Sequence, residues 1–252
     1  MNTIQESFTL PSKGLIYDKK VNPEFTLRSM TTIEEMKRLS PTKTPYLTMC
    51  EIIEDCLLTD LGIPVKDLCL GDYQFMMHKL RIVSYGTEYK MTTRCPYCNE
   101  IEEQVFNLED LDVNEYDPKM KSMFTVELPR TGKTITLRYQ TPAMLENINK
   151  QKNARLKKDP NSIDPTFELT LEALIEEVDG EVLDPIRLEN FVQKLPVMDA
   201  KVIFDAAEKI NSMIGLDTVV VTQCGNPRCQ KDYTSTFRPT SEFFWPTLWW
   251  KG

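Results

Sequence analysis

Two pairs of closely spaced cysteines constrain the fold of this chain more than any other feature. The first pair is Cys95 and Cys98, and the second, far along the chain, is Cys224 and Cys229. Thiolates two to four residues apart on a turn can converge on one zinc ion, and two such turns complete a tetrahedral shell. Each pair encloses a proline, and the second also encloses a glycine, which supply the necessary bends. The pattern predicts a structural zinc site that joins distant parts of the chain.

The same cysteines could instead form a disulfide, a redox pair or unrelated buried thiols. Residues 1–11 contain no apolar stretch typical of a secretory signal, so we do not expect an oxidising compartment. A redox Cys-x-x-Cys usually opens a helix, whereas residues 89–94 and 101–106 are typical of strands. A closed shell of four cysteines leaves no position for water or substrate, which favours a structural metal. The remaining cysteines stand in apolar contexts and are expected to be buried thiols: Cys50, Cys56 and Cys69.

Catalytic patterns are weak throughout the sequence. The chain contains one histidine, His78, in a predicted helix, where an ordinary structural role is expected. Gly132-Lys133-Thr134 resembles the end of a phosphate-binding loop, but Glu127 occupies the position where that motif requires glycine. We therefore expect no enzyme and no small-molecule substrate.

Charge and hydropathy exclude further classes. The net charge is -8 and the pI about 5.0, which weighs against nucleic-acid binding. The basic cluster at residues 150–158 is expected to be a solvated helix end. No stretch reaches the roughly 18 apolar residues of a membrane span, so we expect a soluble protein without a membrane partner.

The fold class predicted from these patterns is α+β, with a mainly helical body, a split four-cysteine zinc-ribbon-like β module and short β-hairpins. Predicted helices start near Thr31, Thr141 and Asp184, and the periodicity of residues 167–178 predicts a further helix. A regular apolar stripe from Met198 to Ile214 predicts a long amphipathic helix ended by Gly215. The predicted segments are an extended N-terminal arm (1–30), a helical lobe (31–86), the split ribbon (87–113 and 216–242), an inserted hairpin plus helical lobe (114–215) and an aromatic C-terminal tail (243–252).

Both chain ends are candidates for contacts with other proteins. The tail contains all three tryptophans of the chain within six residues. Such a cluster either folds back on its own chain or anchors on another subunit, and the sequence leaves both open. The N-terminal arm could instead be a disordered terminus. Its apolar content is higher than disorder favours. The candidate contact residues are Leu10, Leu15, Ile16, Tyr17, Phe243, Phe244, Trp245, Trp249 and Trp250.

A set of short motifs occurs in a recognisable order: Leu10-Pro-Ser-Lys-Gly-Leu-Ile-Tyr17, Met30-Thr-Thr-Ile-Glu-Glu35, Gly71-Asp72-Tyr73, Arg81-Ile-Val-Ser-Tyr-Gly-Thr-Glu-Tyr89, Cys95-Pro-Tyr-Cys98 and Leu128-Pro-Arg-Thr-Gly132. Over about the first 140 residues the chain resembles the baseplate protein family of T-even-like contractile-tailed bacteriophages. The resemblance implies a structural, non-enzymatic component of the tail baseplate hub, made in the host cytoplasm, located in the virion and bound to other baseplate and tail proteins. The zinc site is argued from the cysteines alone.

Two alternative functions remain at this point. The first is a hub assembly factor that is absent from the mature virion. The second is a zinc-ribbon regulator associated with nucleic acid, which would require a basic face on the folded ribbon.

Overall fold

The computed structural model describes residues 4–236 and Phe243, and these form a mixed helix-and-sheet protein. This confirms the predicted fold class. The helices in the described part are α1 (Thr32–Leu39), α2 (Pro45–Cys56), α3 (Leu70–Tyr85), α4 (Pro142–Lys158), α5 (Thr166–Leu174), α6 (Pro185–Gln193) and α7 (Val197–Ser212). None of these helices is long and apolar enough to cross a membrane.

The strands form small antiparallel sheets. In chain order they are β1 (Gln5–Thr9), β2 (Glu24–Arg28), β3 (Glu88–Arg94), β4 (Ile101–Asn107), β5 (Val113–Asn114), β6 (Thr125–Glu127), β7 (Thr134–Leu137), β8 (Ile175–Val178), β9 (Gly215–Leu216), β10 (Val219–Gln223) and β11 (Asp232–Thr236). The pairs are β1 with β2, β3 with β4, β5 with β9 and β10 with β11, and β6, β7 and β8 form one three-stranded sheet.

The first lobe packs the N-terminal hairpin against α2 and α3. Phe25 and Leu27 alternate on one face of β2 and are fully buried, as expected for a strand with one side in the core. Leu10 enters the same core from the turn after β1. Residues 5–28 therefore form a hairpin that is anchored in the core by a few buried residues, while most of the segment predicted as an extended arm stays exposed or partly exposed.

The second lobe packs the sheet of β6, β7 and β8 against α5, α6 and α7. The helix predicted for residues 167–178 is wrong in its last part, because α5 ends at Leu174 and residues 175–178 form β8. Ile175 and Val178 bury their side chains against the second core, and β8 gains the backbone bonds of β7. Sheet pairing outweighs local helical periodicity here.

Helix starts follow the predicted caps. Thr31 and Glu34 form a capping box at α1, Thr141 accepts from an N–H in the first turn of α4, and Asp184 does the same for α6. Along the apolar stripe of α7, Ile203 and Ile210 are buried in the second core, Val202 and Ala206 are partly buried, and Met198 in the first turn is exposed.

Two glycines allow the start of α3 and the segment after α7 to approach each other closely. A Cβ on Gly71, at the start of α3, would lie 2.1 Å from the carbonyl oxygen of Ile214. Gly215, with φ of +105°, would place a Cβ 2.8 Å from the Cα of Gly71. Only residues without a side chain allow this approach of the two backbones.

Candidate metal centre

The four predicted ligands come together in the structure. Cys95 and Cys229 have their Sγ atoms 3.8 Å apart, and those of Cys98 and Cys224 are 3.5 Å apart. All four sulfurs lie within 4.8 Å of one another. Four thiolates at a metal–sulfur bond length of about 2.3 Å would be separated by about 3.8 Å in a tetrahedron. The cluster therefore has the dimensions of a four-cysteine metal site.

The first turn between β3 and β4 aims Cys95 and Cys98 inward. The amide of Cys95 donates to the carbonyl of Glu100 (2.9 Å), and the amide of Asn99 donates to the carbonyl of Cys95 (2.9 Å). Asn99 has φ of +61°, a conformation that asparagine tolerates better than most residues. The backbone thus closes around the sulfurs without using a side chain.

The second turn, between β10 and β11, has the same construction. The amide of Cys224 donates to the carbonyl of Lys231 (3.0 Å), and the amide of Cys229 donates to the carbonyl of Asn226 (2.9 Å). Gln230 follows with φ of +49°, matching the position of the residue after the second cysteine of the first turn. Two similar turns face each other across the cluster.

Side chains also link the two hairpins. The hydroxyls of Thr93 on β3 and Tyr233 on β11 share a hydrogen bond of 2.7 Å, and Gln104 on β4 donates to the carbonyl of Gln223 (3.0 Å). The two hairpins share no backbone ladder, because β3–β4 and β10–β11 are separate two-stranded sheets. The two halves of the ribbon are therefore connected by side chains and by the converging cysteines and not by a shared sheet.

Glu102 on β4 also contacts the second turn, and the sequence analysis did not identify it as part of the site. Its carboxylate accepts from the amide of Gly225, directly after Cys224, at 3.0 Å. A Cβ on Gly225 would lie 2.5 Å from Glu102 Oε2. Gly225, next to Cys224, is the one sequence feature that points to this contact. Because it has no side chain, the carboxylate of Glu102 can reach its backbone amide.

The thiols differ in their affinity for protons. Burial raises the pKa of Cys224 to about 12. Burial also acts to raise that of Cys95, but the N–H groups of Tyr97 and Cys98 stabilise the thiolate and bring its pKa down to about 7. Metal ligation requires thiolates, so binding a metal here displaces protons.

The donor set fits a metal ion that prefers soft ligands in a tetrahedral arrangement. Cys95 and Cys224 are buried, and the cluster is backed by the ring of Tyr233. With four sulfurs as ligands, the shell has no position for substrate, so the geometry suits a structural metal. The remaining cysteines, Cys50, Cys56 and Cys69, are buried free thiols, as predicted.

The predicted contact residues lie in different environments. Leu10 and Phe243 are buried in the first core, and Tyr17 donates a hydrogen bond to the buried Asp72 (2.6 Å). Leu15 is 61% exposed, and Ile16 is half-buried. Of the predicted contact residues, Phe244, Trp245, Trp249 and Trp250 lie outside the described residues.

The fold and the cluster together define a mixed helix-and-sheet protein with four cysteines able to hold a structural metal. The chain belongs to the T4 bacteriophage base plate protein family, whose model matches residues 1–245. This confirms the resemblance seen over the first 140 residues and extends it over nearly the whole chain. Searches among curated proteins and among solved structures gave no match. Membership implies a structural role in the tail baseplate of the virion, with other baseplate or tail proteins as partners.

Proposed function

We propose that this protein is a structural component of the baseplate hub that joins neighbouring subunits through its terminal segments and contains a structural zinc ion. The family match over residues 1–245 is the observation that supports the baseplate role most directly. The role is non-catalytic: the cluster has the form of a structural centre, and the known family is a baseplate protein.

Zinc is the metal we assign to the cluster. Isolated two-stranded hairpins are marginally stable in water, and the two hairpins here share a buried cluster of only Cys95, Cys224 and Tyr233. Such a small core does not stabilise a ribbon by itself, and metal ligation supplies the missing free energy. Four thiolates in a tetrahedron are the usual ligands of structural zinc.

The N-terminal contact surface is centred on the turn that contains Leu15 and Ile16. The carboxylate of Asp72 on α3 binds both ends of this turn. It accepts hydrogen bonds from the amide (2.9 Å) and the hydroxyl of Ser12 and from the phenol of Tyr17 (2.6 Å). The exposed leucine is therefore presented by a rigid turn, which lowers the entropy lost on binding a neighbour. The C-terminal tail is the second proposed contact segment, and its residues after Phe243 lie outside the described part of the chain.

Replacing Leu15 by aspartate tests the contact surface. Leu15→Asp adds a charge to an exposed position, so we expect a folded protein that enters baseplates less efficiently than the wild type. Ile186→Asp is the matched control, because Ile186 is 72% exposed on α6, away from this turn. Equal incorporation of both variants, measured by complementation of a phage that lacks the gene, would contradict the assignment. Deleting the whole arm is a poorer test, since Leu10 and Ser12 are buried.

Metal content tests the zinc assignment. We expect elemental analysis of the purified chain to give one zinc ion per molecule, and Cys229→Ser to lower this occupancy. A different metal held by the same four cysteines would overturn zinc but not the site. No bound metal in protein prepared without chelator would overturn the site itself.

The assembly-factor alternative is separated from a resident subunit by mass spectrometry of purified virions. Peptides of this chain in fixed ratio to other baseplate proteins support residence, and their absence supports an assembly factor. The nucleic-acid alternative has less support, because the ribbon hairpins (88–107 and 219–236) contain five acidic and four basic residues and so offer no excess of positive charge.

A further inference from the structure

A groove between helices α2 and α4 is bordered mainly by basic and amide side chains. Its walls are the start of α2 with the residues just before it, one side of α4 and the short turn that contains Lys66. The groove has a volume of about 800 Å³, which lies within the range of ligand-binding sites in proteins. It is separate from the metal cluster and from the N-terminal turn.

Three exposed lysines border this groove: Lys43, Lys66 and Lys150. None of the three has an ion-pair partner within the described part of the chain. Lys152, two residues further along α4, is by contrast paired with Asp164 at 2.8 Å. The basic cluster at residues 150–158 is therefore more than a solvated helix end, because its first member joins two lysines from other parts of the chain.

The acidic residue that lines the groove, Glu146, does not neutralise these lysines. Its side chain is buried, and its Oε2 atom accepts a hydrogen bond from the amide of Tyr46 in the first turn of α2 (3.1 Å). Thr44, the residue before that helix, makes no capping bond with its side chain, so the carboxylate from α4 satisfies a free amide of α2. The three lysines thus leave an excess of positive charge in a protein with a net charge of -8.

Three asparagines of α4 supply the amide groups of the lining: Asn147, Asn149 and Asn153. Their side chains make no hydrogen bond within the described part of the chain. Each side-chain amide has donors and an acceptor, as a peptide group has, and can pair with the backbone of an extended segment. Among the described residues, no aromatic ring and no arginine lines the groove, whereas single-stranded nucleic acid typically stacks its bases on such groups. The lining therefore favours a peptide over a nucleic acid.

We propose that this groove binds an extended acidic segment of another protein. Carboxylates of that segment pair with Lys43, Lys66 and Lys150, and its backbone pairs with the asparagines of α4. Charge complementarity supports this partner, because an acidic segment relieves the repulsion among three lysines that lack partners in the described chain. The inference adds a contact surface to those at the chain ends and does not depend on them or on the metal. Failure of one proposal therefore leaves the others standing.

Fluorescence anisotropy of a labelled peptide tests the groove. The probe is an eight-residue peptide of alternating glutamate and serine, and the full-length protein should bind it at low ionic strength and release it as salt is added. Replacing all three lysines, as Lys43→Gln, Lys66→Gln and Lys150→Gln together, should weaken binding by about tenfold or more, since each exposed ion pair contributes about two- to fivefold.

The matched control replaces three exposed lysines outside the groove by glutamine: Lys119, Lys194 and Lys209. This variant has the same net charge as the groove variant and should bind the peptide as the wild type does. All six positions are exposed, and circular dichroism checks that both variants are folded. A peptide of alternating glutamine and serine should bind neither the wild type nor the control.

Cross-linking locates the bound peptide. A carbodiimide joins carboxylates to amines in direct contact, so mass spectrometry should find the peptide attached to Lys43, Lys66 or Lys150. Cross-links confined to other lysines, equal weakening in the two triple variants, or no binding of the acidic peptide would overturn the proposal. Tighter binding of an eight-nucleotide oligothymidylate, lost in the groove variant, would assign the groove to nucleic acid instead. Self-association of the wild type that the groove variant lacks would assign it to a second copy.

Discussion

His78 allows a quantitative prediction because it is the single histidine of the chain and lies fully inside the first lobe. Its ring stacks on Phe243 with centroids 6.2 Å apart. Neither ring nitrogen makes a hydrogen bond of good geometry among the described residues, although a contact with the backbone of Leu108 favours the protonated ring. Burial is the main cause that lowers the pKa of this imidazole from 6.5 to about 4, and the positive charge of Lys79 contributes to the same shift. The side chain is therefore neutral in the folded protein at pH 7.

The expected effect on stability follows from this difference in pKa. The unfolded chain binds a proton near pH 6.5, whereas the folded chain resists it until about pH 4. The contribution of His78 to stability is thus present above pH 6.5 and is lost as the pH falls towards 4. Between pH 7 and pH 5 the loss is about 2 kcal/mol, and over the full interval it approaches about 3 kcal/mol.

Urea unfolding at pH 7 and pH 5 measures this loss. Carboxylates also titrate in acid, so the informative quantity is the difference between the wild type and His78→Leu, which keeps an apolar side chain at this position. We expect the wild type to lose about 2 kcal/mol more than the variant between these pH values. An NMR titration of the single imidazole should independently place its pKa well below 6.5.

The reasoning would be refuted by parallel losses of stability in the two proteins. It would also be refuted by a measured imidazole pKa near 6.5 in the folded chain. Either result would mean that the ring reaches water or finds a partner in the native state, so that Phe243 does not seal it from solvent.

Three further predictions test other contacts. Glu34→Gln should lower the free energy of unfolding at pH 7 by about 1–2 kcal/mol, because it breaks the pair with Arg28. This pair lowers the pKa of Glu34 to about 2. In acid unfolding, the difference in stability between the wild type and the variant should therefore shrink as the pH falls from 4.5 towards 2. Gly71→Ala should destabilise by about 1–3 kcal/mol in urea unfolding despite the better helix propensity of alanine, because the lobes must separate. Glu102→Ala should weaken metal retention by about 10–100-fold in a chelator competition, whereas Glu103→Ala, next to it on β4, should not.

The cluster of four cysteines could be predicted from the sequence because the geometry of each half is local. Each pair of cysteines is held by its own turn, and the spacing within each pair fixes how the sulfurs point. A tetrahedral site needs four ligands and each pair supplies two, so the two pairs are expected to meet. The contribution of Glu102 could not be predicted in this way, since its partner is the backbone of Gly225 on the other hairpin. Acidic residues on a strand have the same pattern whether they face water or a distant amide.

Contacts between distant segments explain the other differences. Residues 175–178 continue the apolar period of α5, yet they form β8 because β7 offers an open edge. Gly71 and Gly215 each fit a local role at a helix end, and nothing in the sequence shows that they touch each other. Local patterns determine which elements can form, while their pairing depends on partners far along the chain.

Helix α1 shows the limit of periodicity most clearly. Its pattern defines an apolar side and a charged side but does not determine which side faces the core. The answer depends on Arg28, Glu51 and Asp55, which lie outside the helix and pair with its charges. A helix held by ion pairs on its inner side leaves its own apolar side exposed. The orientation of α1 is therefore set by pairing with charges on β2 and α2 and not by the burial that its periodicity would predict.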